Sequence, residues 1–184
     1  SRNAYGDTEM EELLRKYPAS PLTLRVKYLR AQGYYEEENY SRAKKEFTKI
    51  VKKYPKTDYA YASQYYLGSI EAKDALKTKN KKKKLKAVNQ ATHYFRTYLK
   101  EAPSGRFSIH SIEKWVSLKQ KLTNEDNLVI AKSYQANGDY KSAWKYLKYT
   151  NINASWPYFV KNANELKDYS KVKYDIIFNT DVIV

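Results

Sequence analysis

His93 and His110 are the only histidines in this chain, and Glu36 to Glu38 form its densest carboxylate run, so metal ligation and acid/base catalysis are the first chemistries to weigh. A metal site needs further ligands at helical or loop spacing, and neither an H-E-x-x-H nor an H-x-H arrangement occurs. Three consecutive glutamates point in different directions around a helix, which suits a solvated helix end and not a paired acid and base. There is no Gly-rich phosphate loop, no G-x-S-x-G and no defensible Ser, His and Asp set. The chain also has no cysteine, which excludes disulfides, thiolate zinc sites and thiol catalysis but fits either a reducing or an oxidising compartment. These residues point to a non-enzymatic protein with no catalytic residue, no metal, no cofactor and no small-molecule substrate.

Cationic chemistry is plentiful. The net charge is +15, and "KTKNKKKKLK", residues 77–86, holds seven lysines in ten positions. Lys79, Lys81, Lys82, Lys83 and Lys84 are the candidate contacts to phosphates or anionic headgroups, on RNA, an anionic polymer or a membrane surface. No aromatic residue is interleaved in the block, so any such contact is independent of base sequence. The plain alternative is a solubilising loop. Like charges at this density repel, which predicts an exposed extension between helices.

The elements that position these residues are helices. Of the 184 residues only five are Gly and five Pro, alternating apolar and polar runs are few, and good helix formers recur between the prolines. Tyr is abundant, with 20 copies against 5 Phe, as suits half-buried contacts with a wet hydroxyl tip. No run of about 18 apolar residues occurs. "SRNAYGD" at the start carries no charged-then-apolar signal segment, and a signal peptide removed from a longer chain is compatible with it. The C-terminal "YDIIFNTDVIV" alternates like a strand but has no evident strand partner, so it is expected as a truncated helix or frayed tail.

The helices repeat. Ala43, Phe47, Ile50 and Pro55 are separated by four, three and five residues, and Ala91, Phe95, Tyr98 and Pro103 by the same distances. Four and three are helical spacings that put three residues on one face, and proline ends the helix about a turn later. A third unit carries Tyr134, Gly138, Asp139, Tyr140, Ala143 and Leu147. Here Gly138 supplies the positive φ that closes one helix, Asp139 starts the next, and Ala143 permits close approach.

These residues resemble the tetratricopeptide repeat, a helix-turn-helix of about 34 residues. The resemblance implies an all-α fold, a right-handed solenoid of antiparallel helix pairs with roughly 7–10 helices in a single domain spanning 1–184. Its parts are a half repeat at 8–20, repeat 1 at 24–57 (with Arg30 where Leu is usual), repeat 2 at 61–105 with the basic insert 77–86, an extra helix at 106–122, repeat 3 at 124–153 and a degenerate repeat 4 at 156–184. In repeat 2 about eleven extra residues separate the helices. The extra helix is expected to turn Ile112, Trp115, Val116 and Leu118 inward, and repeat 4 to begin at Trp156.

The resemblance also implies a partner: another protein, as extended peptide or helix, held in a concave groove lined by the first helix of each repeat. Counting from the repeat starts places Arg25, Tyr28, Gln32, Tyr35, Tyr65, Ser69, Lys73, Leu128, Lys132 and Gln135 there. The chaperone-binding variety clamps a terminal carboxylate with Lys and Asn; Tyr28 and Gln32 stand at those places, so that role is not expected. Tyr40, Ala43, Phe47, Tyr54, Pro55, Asp58, Tyr59, Ala60, Tyr66, Leu67 and Gly68 resemble the bacterial envelope subgroup. That subgroup includes the lipoprotein of the outer-membrane β-barrel assembly machinery and periplasmic division coordinators, and it implies a periplasmic or envelope location, with cytoplasm as the alternative. "NASWPYFVKNANELKDYSKVK" is also similar to the superhelix of soluble lytic transglycosylases. Without a Glu-Ser pair such a fragment positions substrate and does not cleave it.

Overall fold

A computed structural model describes residues 3–168 apart from 19 and 21, with side chains from residue 8 onward except at 152. The C-terminal segment 169–184, including Tyr169 and Val172, lies outside the described residues. Among the described residues there are nine helices and no strand, within the number expected. They are α1 (Asn3–Lys16), α2 (Leu22–Glu36), α3 (Tyr40–Lys53), α4 (Asp58–Lys77), α5 (Lys81–Glu101), α6 (Ser108–Ser117), α7 (Asn124–Ala136), α8 (Tyr140–Leu147) and α9 (Ile152–Leu166). The fold is all-α and of the tetratricopeptide type.

Contacts divide the chain into two compact units, 1–95 and 96–184. In the first, α1 packs on α2, and α2, α3 and α4 pack on one another. In the second, α6 packs on α7, and α7, α8 and α9 pack on one another.

Each unit contains the same turn, and its chemistry explains why the helices pair. In the second unit Gly138 adopts a φ of 77° and Asp139 caps α8, its carboxylate accepting from the Ser142 amide at 2.9 Å. The Asp139 carboxyl is held below the usual range chiefly by that hydrogen bonding with Ser142. The Asp139 amide donates to the Tyr134 carbonyl at 2.9 Å, and Ala143 donates back to the Asp139 carbonyl at 3.0 Å. In the first unit Asn39 donates to Tyr34 at 2.8 Å, Ala43 to Asn39 at 3.0 Å, and the Asn39 side chain caps α3 through the Arg42 amide at 3.3 Å. The turn is the same, but Glu38 stands at the place of Gly138, with a φ of 59°. A left-handed conformation at a residue with a Cβ is strained.

On either side of these turns each helix buries a small residue. Ala31 and Ala43 are fully buried in one unit, Ala131 and Ala143 in the other, each pair beside a fully buried large residue, Phe47 or Leu147. The core of the first unit is aromatic. Phe47 stacks on Tyr66 with centroids 4.8 Å apart, and Tyr28 meets Tyr59 at 5.2 Å. In the second, Ala131, Trp144, Leu147 and Phe159 form the core cluster, with Trp144 edge-on to Phe159 at 5.3 Å. Tyr134 stacks on Tyr146 at 5.7 Å, and burial, with Tyr146 nearby, pushes its phenol up to about 12.

Three expectations are corrected. The lysine block is exposed, but it is not an irregular extension: only residues 78–80 lie outside helix, and the extra residues lengthen α4 and α5. Asn80 makes this possible by capping α5, its side chain accepting from the Lys83 amide at 3.0 Å. Along α6, Ser108, Ser111, Ile112 and Trp115 form the buried stripe, whereas Val116 lies at the stripe's edge, 39% exposed, and Leu118 is only partly buried. Finally, α9 begins at Ile152, ahead of Trp156, and carries Pro157 in its second turn.

Two substitutions check this account in urea unfolding. Glu38→Gly should stabilise the chain by about 0.5–1 kcal/mol by relieving a strained φ, and Gly138→Ala should cost about 1 kcal/mol by creating one. At Gly68 in α4 an added Cβ would lie 2.8 Å from the Phe95 ring, which is fully buried and has no room to withdraw. Gly68→Ala is therefore expected to cost about 1–3 kcal/mol despite the gain in helix propensity, whereas Gly33→Ala, with open space around it, should gain about 0.5–1 kcal/mol.

Candidate interaction surfaces

The ten residues expected on the concave face fall into two groups. Tyr28, Tyr65, Ser69 and Gln135 are buried, which corrects their expected role as open contacts. Tyr28 belongs to the aromatic core through Phe47, Tyr59 and Tyr66, and Tyr65 lies against Tyr66 at 5.2 Å. Gln135 is a structural tie: its amide donates to the Tyr158 carbonyl and to Asn162 Oδ1, both at 2.8 Å, while Asn162 donates to the Tyr140 carbonyl at 2.8 Å. This buried polar network holds α9 against α7 and the start of α8. The exposed or half-buried group comprises Arg25, Gln32, Tyr35 and Lys73 in the first unit and Leu128 and Lys132 in the second.

Within the first unit, Lys73 is the most constrained of these. Its ammonium donates to the Tyr40 hydroxyl, lies 4.7 Å from the Tyr40 ring and 5.7 Å from the Tyr35 ring, and stands 3.9 Å from the Glu38 carboxylate. The hydrogen bond to Tyr40 is the main reason its pKa is raised. Burial pushes the Tyr35 phenol up, against the opposing pull of Lys73. The result is a cation held in place between two rings, able to receive a carboxylate or a peptide carbonyl without first ordering a long side chain. In the second unit Lys132 is similarly supported, 4.4 Å above the Tyr158 ring.

Ion pairs, most of them between residues far apart in sequence, brace the same helices. Arg30, the departure from the usual Leu, reaches Glu46 on α3 at 3.2 Å and Glu11 on α1 at 3.6 Å. Lys49 also pairs with Glu46 at 2.7 Å. Burial alone would raise the Glu46 pKa, but Lys49 and Arg30 together hold it below the usual value. Buried Glu71 on α4 pairs with Lys44 of α3. In the second unit Asp126 is the most economical residue: it accepts from Arg96 at 2.6 and 2.7 Å and from the Thr123 amide at 2.9 Å, completing a capping box on α7. The i,i+3 Glu46–Lys49 pair and the T-x-x-D capping box are local in sequence, whereas the other pairs join residues far apart in the chain.

Lys79, Lys81, Lys82, Lys83 and Lys84 are exposed, and none forms an ion pair with a described residue. His93 and His110 are exposed on α5 and α6, and among the described residues no three His, Cys, Asp or Glu side chains come together as a metal site would require. Nor is any helix among them long and apolar enough to cross a membrane.

A family model, YfiO, described as outer membrane lipoprotein, matches residues 3–162. The chain belongs to the YfiO family. No individual curated protein gives a significant match. The YfiO match runs from α1 into α9, so it takes in the braced lysine, the basic α4–α5 turn and both units' repeated turns.

The Glu46 cluster carries a pH signature. Its depressed carboxyl contributes stability that is complete above the ordinary glutamate pKa and is lost as pH falls through the lowered one. In Arg30→Met the depression shrinks, so the rise in unfolding free energy between about pH 3 and pH 5 should be smaller than in the parent chain. Denaturant titrations across that range measure the difference.

Proposed function

We propose that the chain is a non-catalytic scaffold for protein-protein interaction in a bacterial outer-membrane assembly, acting on the periplasmic side. The YfiO match carries this reading. Each unit is proposed to hold an extended peptide or helix of another protein on its own accessible residues: Arg25, Gln32, Tyr35 and Lys73 on one, Leu128 and Lys132 on the other. The residue types support it. Tyr and Arg are among the side chains that contribute most per residue at interfaces, and the rings that immobilise Lys73 reduce the ordering cost of binding. Tyr28, Tyr65, Ser69 and Gln135 are then supports beneath the surface, and their truncation would loosen a unit before it weakened a contact.

Site-specific photo-crosslinking in the native envelope tests this. A photoreactive side chain at Gln32 or Lys132 should yield adducts with an outer-membrane assembly protein, whereas one at exposed Lys52 on α3 should not. Lys73→Ala should reduce the Gln32 adduct by about tenfold, the effect of losing a central interface residue. Equal adducts from Lys52, or none from the two test positions, would exclude the assigned faces.

A further inference from the structure

Residues 77–86 contain seven lysines and no acidic residue. Lys77 ends α4, residues 78–80 turn the chain, and Lys81 opens α5, so the cations are set on two helix ends and a short link. Lys81 to Lys84 occupy the first turn of α5, where the positive end of the helix dipole adds to their mutual repulsion. Asn80 holds the turn together against that repulsion, its carbonyl accepting from the Lys84 amide at 2.8 Å and its side chain from the Lys83 amide at 3.0 Å. Solubility alone would be served at least as well by acidic residues, which would also stabilise the helix start.

Two large apolar side chains protrude among these cations. Leu76, in the last turn of α4, is 66% exposed and Leu85, in the second turn of α5, is 62% exposed. Leu85 borders a shallow depression of about 480 Å³ along α5, whose rim includes Lys82, Lys86, His93 and Tyr94. A nucleic acid gripped through its phosphates has no use for exposed leucines. Cations around protruding leucines suit a bilayer interface, where ammonium groups meet headgroup phosphates and the apolar tips enter the acyl boundary.

We propose that the α4–α5 turn is a membrane-contact element that docks on an anionic phospholipid bilayer, with Lys79 and Lys81 to Lys84 on the headgroups and Leu76 and Leu85 inserted. The proposal takes from the envelope reading only that a bilayer is within reach, and its test does not depend on the protein partner. The purified chain is floated with vesicles of phosphatidylcholine, with and without phosphatidylglycerol, in low and moderate salt. Binding should require phosphatidylglycerol and weaken as salt rises. The combined Lys81→Gln, Lys82→Gln, Lys83→Gln and Lys84→Gln variant should bind about tenfold more weakly or worse. Because these lysines are exposed and mutually repelling, their removal should leave helicity intact, which circular dichroism verifies. Leu76→Ser with Leu85→Ser should weaken binding while retaining its salt dependence. The proposal fails if neutral vesicles bind equally, if the lysine variant binds like the parent, or if the leucine variant is unaffected. It also fails if single-stranded RNA binds as tightly as the anionic vesicles.

Discussion

Helices can pair this closely only where one residue on each is small enough to let the backbones approach, and everything else in the chain is arranged around those points. Ala31 with Ala43 and Ala131 with Ala143 are fully buried, and Gly68 leaves no room for even a methyl group beside Phe95. Once the backbones are that near, the large side chains flanking them are forced into one layer, Phe47 on Tyr66 in the first unit and Trp144 against Phe159 in the second. The capped turns fix the helix ends, so each pair has little freedom to slide. A larger residue at any of these positions would have to move two helices at once.

The abundance of tyrosine follows from how thin such units are. A helix pair has a narrow interior, and most of its aromatic positions reach solvent at one end. Tyr35, Tyr40 and Tyr158 use their rings for packing and leave an outer face on which Lys73 and Lys132 rest. Packing and surface chemistry are thereby joined: the rings that close the core also set where the accessible cations stand. Some of the polar groups that the same geometry buries are joined in networks, as with Gln135 and Asn162, or paired, as with Asp126 and Arg96, whereas the Ser111 hydroxyl and the Trp115 indole N–H are buried without a hydrogen-bond partner among the described residues. Those networks give each interface one register instead of several.

Against this background the YfiO family assignment and the surface chemistry are complementary. The braced cations of the two units are the contacts proposed for a protein partner. Lys79 and Lys81 to Lys84 of the α4–α5 turn, by contrast, form no ion pair with a described residue, and they gather at a turn whose leucines face solvent. Two different kinds of basic surface thus occur in one chain.

The sequence by itself determined the helical class, the positions of the turns and the identity of the residues at the close contacts. These are local properties: helix periodicity, a proline after Ile50 and a glycine before Asp139. Glu38 in the glycine position was legible only by superposing two turns a hundred residues apart. Tertiary structure decided which polar residues face water. Tyr28 and Gln32 lie four apart on α2 and are indistinguishable by spacing, yet three aromatic neighbours enclose Tyr28 while Gln32 stays accessible. It also decided that the lysine block continues the helices, because Asn80 caps α5 and the buried stripe of Ala87, Val88 and Ala91 anchors it. Periodicity specifies a face, but burial depends on what the rest of the chain places against that face, and no local pattern encodes it.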